Sequence, residues 1–246
     1  MLDLKGKTSL ITGSAKRIGR QIALSQAELG ADVVIHYRSS AVEAESLKER
    51  VINSGRRAWT VRADFEEESD CSDFFEEVVA KAGRVNYLVN NASIFPPSEL
   101  DELSLEEFIS SLRVNSWAPF TLIRSFADKF NTGRVVNLLD TRVAGYDWKH
   151  SGYYLSKVLL ARMTKMLAVK YAPDFTVNGV APGLITPPEG GDQSYLNQRM
   201  DRVPLERSGK KREIARAVNF LLQGDFITGQ ILYVDGGRNL LHELEG

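Results

Sequence analysis

Tyr153 and Lys157 stand one helical turn apart in Ser151-Gly-Tyr-Tyr-Leu-Ser-Lys157. That spacing puts a phenol and an ammonium on one helix face. A cation beside a phenol favours the phenolate, so the tyrosine pKa is expected to fall towards working pH. Such a phenol can protonate a carbonyl or imine that is accepting a hydride. Asp140 lies twelve intervening residues upstream, directly after the apolar run Arg134-Val-Val-Asn-Leu-Leu139. The run reads as a buried strand. Asp140 then sits at its C-terminal end, where open α/β sheets hold ligands. A Tyr-x3-Lys pair also fits an ordinary surface helix, and Tyr154, at i+3 from Lys157, satisfies the spacing too. Other segments must decide.

The N-terminal segment does so. Lys7-Thr-Ser-Leu-Ile-Thr12 reads as a strand, Gly13-Ser-Ala-Lys-Arg-Ile-Gly19 as a turn, and Arg17–Leu29 as a helix. A strand, a glycine turn and a helix N-terminus make an anion site, with free backbone N–H groups facing a pyrophosphate. Two glycines at this spacing also fit a plain tight turn. A cation at position 17 opposes the positive end of the helix dipole unless an anion is present.

Strand and helix patterns alternate along the whole chain. Strand-like runs are Thr8–Thr12, Asp32–His36, Ala58–Arg62, Tyr87–Asn90, Arg134–Leu139, Thr176–Val180 and Gln230–Val234. Helical periodicity covers Arg17–Leu29, Ala41–Asn53, Ser69–Ala82, Leu105–Phe130, Tyr153–Tyr171 and Lys211–Leu222. Ser104 and Glu107 form a capping-box pattern. Alternation of this kind implies a single α/β domain over 1–246, a doubly wound parallel seven-stranded sheet with helices on both faces. Pro182 to Gly209 carries no clear element, and a substrate loop is expected over about 183–209.

Composition excludes more than it identifies. A 246-residue chain that is 43% hydrophobic can bury one full core. A net charge of −1 points to neither nucleic acid nor an anionic membrane surface. No apolar run approaches the ~20 residues of a membrane span. Cys71, the single cysteine, cannot form an internal disulfide, which suits a reducing cytoplasm. The start Met1–Lys7 is short and charged, unlike a secretion signal. His36, His150 and His242 show no metal spacing, and no metal is expected. His150 reads as a helix-cap or loop residue and Lys210-Lys-Arg212 as a solvated helix start, while Tyr146, Trp148 and Tyr195 could line a pocket.

Taken in order, Thr12-Gly13…Gly19, Asp64 after the third strand, Asn90-Asn91-Ala92, Asn115, Tyr153-x3-Lys157, and Pro182-Gly183 followed by Thr186 resemble the short-chain dehydrogenase/reductase family over essentially the full length. The resemblance implies a nicotinamide cofactor bordered by Gly13, Arg17, Ile18, Gly19, Tyr37, Arg38, Ser39, Asp64, Phe65, Asn91, Ala92, Ser93, Tyr153, Lys157, Pro182, Gly183 and Thr186. In that family Asn91 and the Ala92 backbone border the adenosine ribose, Asn115 holds a proton-relay water near Lys157, and Thr186 binds the carboxamide. Pairing of the two long helices with their copies implies a homotetramer, with a dimer as fallback.

Two departures from the family pattern narrow the expectation. Arg17 replaces the middle glycine of TGxxxGxG, and Asp140 replaces the usual catalytic serine. Together with Asn90-Asn91-Ala92-Ser93-Ile94-Phe95 and the closing Val234-Asp-Gly-Gly-Arg238, they resemble the pteridine reductases and the related dihydromonapterin reductases with dihydrofolate reductase side activity. In that branch the residue matching Arg17 contacts cofactor phosphate and pterin, that matching Ser93 touches the pterin edge, and that matching Phe95 covers the pterin face. The chemistry agrees: an aromatic ring offers stacking area to a flat heterocycle, and a carboxyl paired with a tyrosine can protonate a ring nitrogen. Asp140, Tyr153, Lys157 and Asn115 are the expected catalytic residues; Arg17, Ser93, Phe95, Asp140 and Tyr153 the substrate contacts.

Cofactor choice is legible at the second strand. Ile35-His-Tyr-Arg-Ser-Ser40 has no acid to bind ribose hydroxyls. Arg38, Ser39 and Ser40, joined by Arg17, offer charge-assisted bonds to a 2′-phosphate, hence NADPH rather than NADH. Two other readings stay open: a reductase of acyl thioesters, sugars or other ketones with Asp140 a drifted serine, and a binding protein that has lost catalysis. Intact Tyr153, Lys157 and Asn115 oppose the second.

Overall fold

The computed structural model describes residues 3–188 and 190–241, with the side chains of 68–72 outside that description. Cys71 as a side chain and His242 therefore fall outside the described residues. Among the described residues there are seven strands: β1 (Thr8–Ile11), β2 (Asp32–Tyr37), β3 (Ala58–Arg62), β4 (Tyr87–Asn90), β5 (Gly133–Leu138), β6 (Phe175–Pro182) and β7 (Ile231–Val234). They pair in parallel in the order β3-β2-β1-β4-β5-β6-β7. The order reverses direction between β1 and β4, and such a switch point opens a crevice beyond the strand ends.

Helices α1 (Arg17–Glu28), α2 (Ala41–Asn53), α3 (Glu68–Ala82), α4 (Leu105–Leu112), α5 (Ala118–Lys129), α6 (Ser151–Lys170) and α8 (Lys211–Gln223) flank the sheet, and α7 (Gln193–Asn197) lies in the 183–209 loop. Strands buried on both faces read as continuous apolar runs. Ile11, Val33, Ile35, Val89 and Val136 face one core with Ile22, Leu47 and Val218, while Leu10, Val34, Leu88 and Val135 face a second with Phe75, Leu122 and Phe126. The predicted capping box is present: Ser104 Oγ accepts from the Glu107 N–H, and the Glu107 carboxylate accepts from the Ser104 N–H.

Two local differences from the expected elements bear on the site. The single helix expected over Leu105–Phe130 is interrupted by a π turn, Arg113–Trp117, that separates α4 from α5. The extra residue per turn swings Asn115 inward, and π bulges often mark functional positions. The 183–209 loop is not featureless. It carries α7 and a 3₁₀ turn, Met200–Arg202, packed by Leu184, Leu196 and Val203. Among the described residues, no helix is long and apolar enough to cross a membrane.

Candidate active site

The turn between β1 and α1 is shaped by close approach. Gly13 has φ +60°, and a Cβ there would come within 2.9 Å of Ala92 Cα. A Cβ on Gly19 would meet the Gly13 carbonyl oxygen at 2.5 Å. Only glycine fits at either position. Thr12 ties this turn to the end of β4, its hydroxyl accepting the N–H groups of Asn91 (2.9 Å) and Ala92 (3.0 Å). The Asn91 amide donates to the carbonyls of Thr12 and Gly13, both at 2.9 Å. Buried His36 completes the frame. Its Nδ1 accepts the Gly13 N–H at 2.9 Å, so its Nε2 carries the proton and donates to the Ala63 carbonyl at 3.1 Å. The ring stacks on Phe65 at 4.4 Å. Burial lowers its pKa to about 4 and keeps it neutral.

This frame ends at the N-terminus of α1, which has no acid in its first turn. Its free N–H groups suit an anion. Ile18 packs against the core beneath. Tyr37 is half-buried, Arg38 and Ser39 are exposed beyond β2, and Asp64 accepts from the Glu66 N–H at the end of β3. Arg17 is the exception to expectation. Its guanidinium donates to Thr186 Oγ1 at 2.7 Å and to the Pro187 carbonyl. Thr186 follows β6, whereas Arg38 follows β2, four places away in the sheet. Arg17 therefore does not join Arg38 and Ser39. It bridges the glycine turn to the start of the 183–209 loop. Its φ is +55°, a left-handed conformation that costs a non-glycine residue about 1–2 kcal/mol. Strain of this kind persists where surrounding structure fixes it, often at a binding site.

At the other strand ends, β5 delivers Asp140 and α6 delivers Tyr153 and Lys157. The Tyr153 hydroxyl donates to Asp140 Oδ2 at 2.8 Å. Tyr154 is excluded: its ring turns towards Tyr146. Lys157 Nζ donates to the Leu138 carbonyl at 2.9 Å, and it lies 5.7 Å from the Tyr153 ring centroid. Burial lowers the Lys157 pKa to about 8, against the raising effect of Asp140. The tyrosine contradicts its expectation. Burial and then the Asp140 charge push its pKa well above the usual phenol value, and Arg142 is the cation that opposes them. The spacing of Tyr153 and Lys157 holds, but burial and the neighbouring carboxylate override the effect expected from it. The phenol therefore holds its proton.

Asn115, aimed inward by the π turn, is fully bonded to its own chain. Its amide nitrogen donates to Ser156 Oγ (2.9 Å) and the Ile94 carbonyl (3.1 Å), and its oxygen accepts from Ser93 Oγ and the Ile94 N–H, both 2.9 Å. None of these bonds reaches Lys157. Asn115 thus fixes the Ser93–Ile94 segment, and Phe95 follows it. The Phe95 ring stacks on His150 at 3.9 Å between centroids and meets Tyr153 edge-on at 4.6 Å. Pro182 ends β6, and the Gly183 N–H donates to the Val234 carbonyl at 3.1 Å.

Two residues of this site, Arg142 and Asp147, carry no recognisable motif in the sequence. Arg142 donates its main-chain N–H to Asp140 Oδ1 at 2.8 Å, and its guanidinium pairs with Asp147 and lies 5.2 Å from the Phe95 ring centroid. Asp147 also receives the main-chain N–H groups of Lys149 and His150. Burial would raise the Asp147 carboxyl, but the His150 ring and Arg142 outweigh it and hold it at about 2. His150 occupies the N-cap position of α6 as expected, and its ring also backs Phe95. An aspartate seven residues after another, flanked by Arg and His, was the only available signal. Trp148 and Tyr146 stack on each other and are largely exposed, while Tyr195, on α7, lies under the Arg199 guanidinium. Among the described residues, no cluster of three or more His, Cys, Asp or Glu is placed to hold a metal.

Comparison with known proteins follows the same geometry. Residues 13–239 match the family model described as enoyl-(acyl carrier protein) reductase. A 3-oxoacyl-[acyl-carrier-protein] reductase of Staphylococcus epidermidis is 30% identical over 239 residues, spanning 94% of this chain and 98% of its own. The chloroplastic NADPH-dependent aldehyde reductase 2 of Arabidopsis thaliana is 32% identical over 262 residues, spanning 96% and 95%. Among solved structures, FolM alternative dihydrofolate reductase 1 of Brucella canis, complexed with NADP, superposes with a TM-score of 0.92 at 31% identity, covering 98% of this chain and 96% of that one.

Proposed function

The chain belongs to the short-chain dehydrogenase/reductase family, and from that premise we propose that it reduces dihydropterins or dihydrofolate to the tetrahydro form with NADPH. The observation that carries this reading is the Tyr153–Asp140 hydrogen bond beneath Phe95. A proton donor there is paired with a carboxylate and flanked by an aromatic ring, which suits a flat nitrogen heterocycle better than a lone ketone. The Brucella neighbour's description as an alternative dihydrofolate reductase supports the same substrate class.

The residues fit NADPH. The glycine cradle of Gly13 and Gly19 and the α1 N-terminus would take the pyrophosphate. Arg38 and Ser39 would take the 2′-phosphate, Asn91 and Ala92 would border the ribose, and Gly183 and Thr186 would meet the carboxamide. When bound, NADPH supplies the hydride. The remaining chemistry belongs to the chain. Tyr153 holds a proton at its phenol oxygen and gives it to the ring nitrogen next to the reduced carbon. Asp140 accepts the Tyr153 hydroxyl in the resting site and, after taking up a proton from solvent, passes it to the phenolate. Lys157 stabilises that phenolate from the same helix face, and Asn115 fixes the strand end that carries Ser93 and Phe95 to the substrate.

Exposed Leu105, Ile109 and Trp117 along α4–α5, and Leu155, Leu159, Met166 and Val169 along α6, support a homotetramer formed through these helices. Light scattering giving a stable monomer at micromolar concentration would exclude it. The names of the sequence relatives favour a second reading, reduction of a ketone or aldehyde. A panel of dihydropterins, dihydrofolate, 3-oxoacyl thioesters and simple ketones with NADPH, followed by the absorbance of the reduced nicotinamide, separates the two. The proposed reading requires dihydropterins or dihydrofolate to be the fastest substrates.

A further inference from the structure

Arg142 lies two residues beyond Asp140 in the 3₁₀ turn Thr141–Ala144. Its main-chain N–H is bonded to Asp140 Oδ1, and its Nε lies 3.9 Å from the same oxygen. The other oxygen of that carboxylate accepts the Tyr153 hydroxyl. One carboxylate is thus fixed between the proton donor and a guanidinium. The contacts continue from Arg142 to Asp147, from Asp147 to His150, from His150 to Phe95, and from Phe95 back to Tyr153. They form a closed circuit around the place where a proton leaves.

The burial makes this arrangement consequential. The Arg142 side chain is only 18% exposed and that of Asp147 10%. A buried guanidinium needs anionic partners, and both of its partners are aspartates of this circuit. Charges this dry act on each other more strongly than surface pairs do. Asp140 opposes ionisation of Tyr153 and Arg142 favours it. Among the described residues, Lys157 on α6 faces Asp140, Asp147 and, from α7, Tyr195 face Arg142, His150 faces Asp147, and Asp235 after β7 takes the neighbouring Thr141 hydroxyl.

We propose that Arg142 is a positioning residue of the proton-transfer machinery: anchored by Asp147, it holds Asp140 against Tyr153 and balances the negative charge that develops on the phenol oxygen as its proton leaves. The inference rests on the proposed function only in taking Tyr153 as the proton donor, and it applies to an imine or a ketone alike. A salt bridge that merely closes the 141–150 turn would affect stability and leave proton transfer untouched.

The test uses the full-length enzyme and whichever panel substrate the parent reduces fastest. Parent activity on dihydropterins tests the reading of function, and the parent-to-variant ratio tests Arg142. Arg142→Met should lower kcat about 10–100-fold, the scale of one or two pKa units of lost charge stabilisation. The KM for NADPH should stay within about twofold, and the solvent deuterium isotope effect on kcat should rise as proton transfer becomes limiting. Arg142→Lys should recover most of the loss, because it restores charge without the fork. Asp147→Asn, which keeps the guanidinium but removes its anchor, should show the same signature more weakly. An activity-independent measurement completes the set: with a fluorotyrosine at position 153, the fluorine resonance should titrate at higher pH in Arg142→Met than in the parent. Unchanged kcat, an unchanged isotope effect, an unmoved fluorine titration, or Arg142→Lys as slow as Arg142→Met would each overturn the proposal.

Discussion

Replacing Arg17 by glycine separates a strained helix start from a built binding residue. Arg17 occupies a left-handed backbone position, φ +55°, which costs about 1–2 kcal/mol for a residue with a side chain. Glycine removes that cost. It adds back about 0.5–1 kcal/mol through the greater freedom of the unfolded chain. The exposed hydrogen bonds to Thr186 Oγ1 and the Pro187 carbonyl are lost, at the low end of about 0.5–1.5 kcal/mol each. The sum lies near zero, so Tm should move by no more than about 3 °C in either direction. Function should respond differently. A guanidinium facing a phosphate or a pterin rim contributes about 1.5–3 kcal/mol through charge-assisted bonds, so kcat/KM should fall about 10–100-fold. Thermal melting and steady-state kinetics of Arg17→Gly, compared with the parent at several NADPH concentrations, read both quantities. A Tm gain above about 5 °C with unchanged kcat/KM would show that the residue is strained without serving the site.

Three further outcomes follow from the geometry. His36 binds its proton at about 4 in the fold and near 6.5 when unfolded, so the unfolded state takes up a proton first as pH falls; stability should drop by about 3 kcal/mol between pH 6.5 and 4, and denaturant titrations of His36→Gln should show a flatter dependence. Burial holds Lys157 at about 8, and in the proposed mechanism its cation would stabilise the Tyr153 phenolate, so kcat should decline as pH rises through that value, a limb that a profile extending from pH 6 to 9.5 would reveal or exclude. With Arg17 turned to Thr186, the proposed 2′-phosphate contact would rest on Arg38, Ser39 and Ser40, so the parent should prefer NADPH and Arg38→Ala should narrow the preference at least tenfold; equal kcat/KM for NADPH and NADH in the parent contradicts this.

The strands were legible because both faces of a parallel sheet are buried, so both alternating faces of runs such as Val33-Val-Ile35 and Val135-Val136 are apolar. Glycine turns and tyrosine spacing were legible for a related reason: Gly13 and Gly19 are sites where any Cβ collides, so the residue type itself records the geometry. What could not be read depended on contacts between distant segments. The π turn at Asn115 involves a one-residue slip in hydrogen bonding, and its residues have ordinary helical propensity. The ionisation of Tyr153 depends on burial under Phe95 and on the carboxylate of Asp140, neither of which the i,i+4 spacing encodes. Arg17 suited a phosphate cluster by charge alone, but its backbone conformation sends it towards Thr186. Arg142 and Asp147 carried no signal in the sequence because their pairing is set by the 3₁₀ turn after β5.

The central claim is that Asp140 and Tyr153 form one proton-delivery unit for a ring nitrogen, and exchanging the carboxylate for the serine of the wider family tests it most directly. Steady-state rates of the parent, Asp140→Asn and Asp140→Ser are measured on 7,8-dihydropterin and on a ketone panel with saturating NADPH. Loss of a placed acid–base group costs about 10²–10⁴ in rate, so both variants should fall by that order on the dihydropterin while NADPH binding, read by fluorescence titration, is retained. A parent inert towards dihydropterins, together with an Asp140→Ser variant that is faster than the parent on a ketone, would contradict the account.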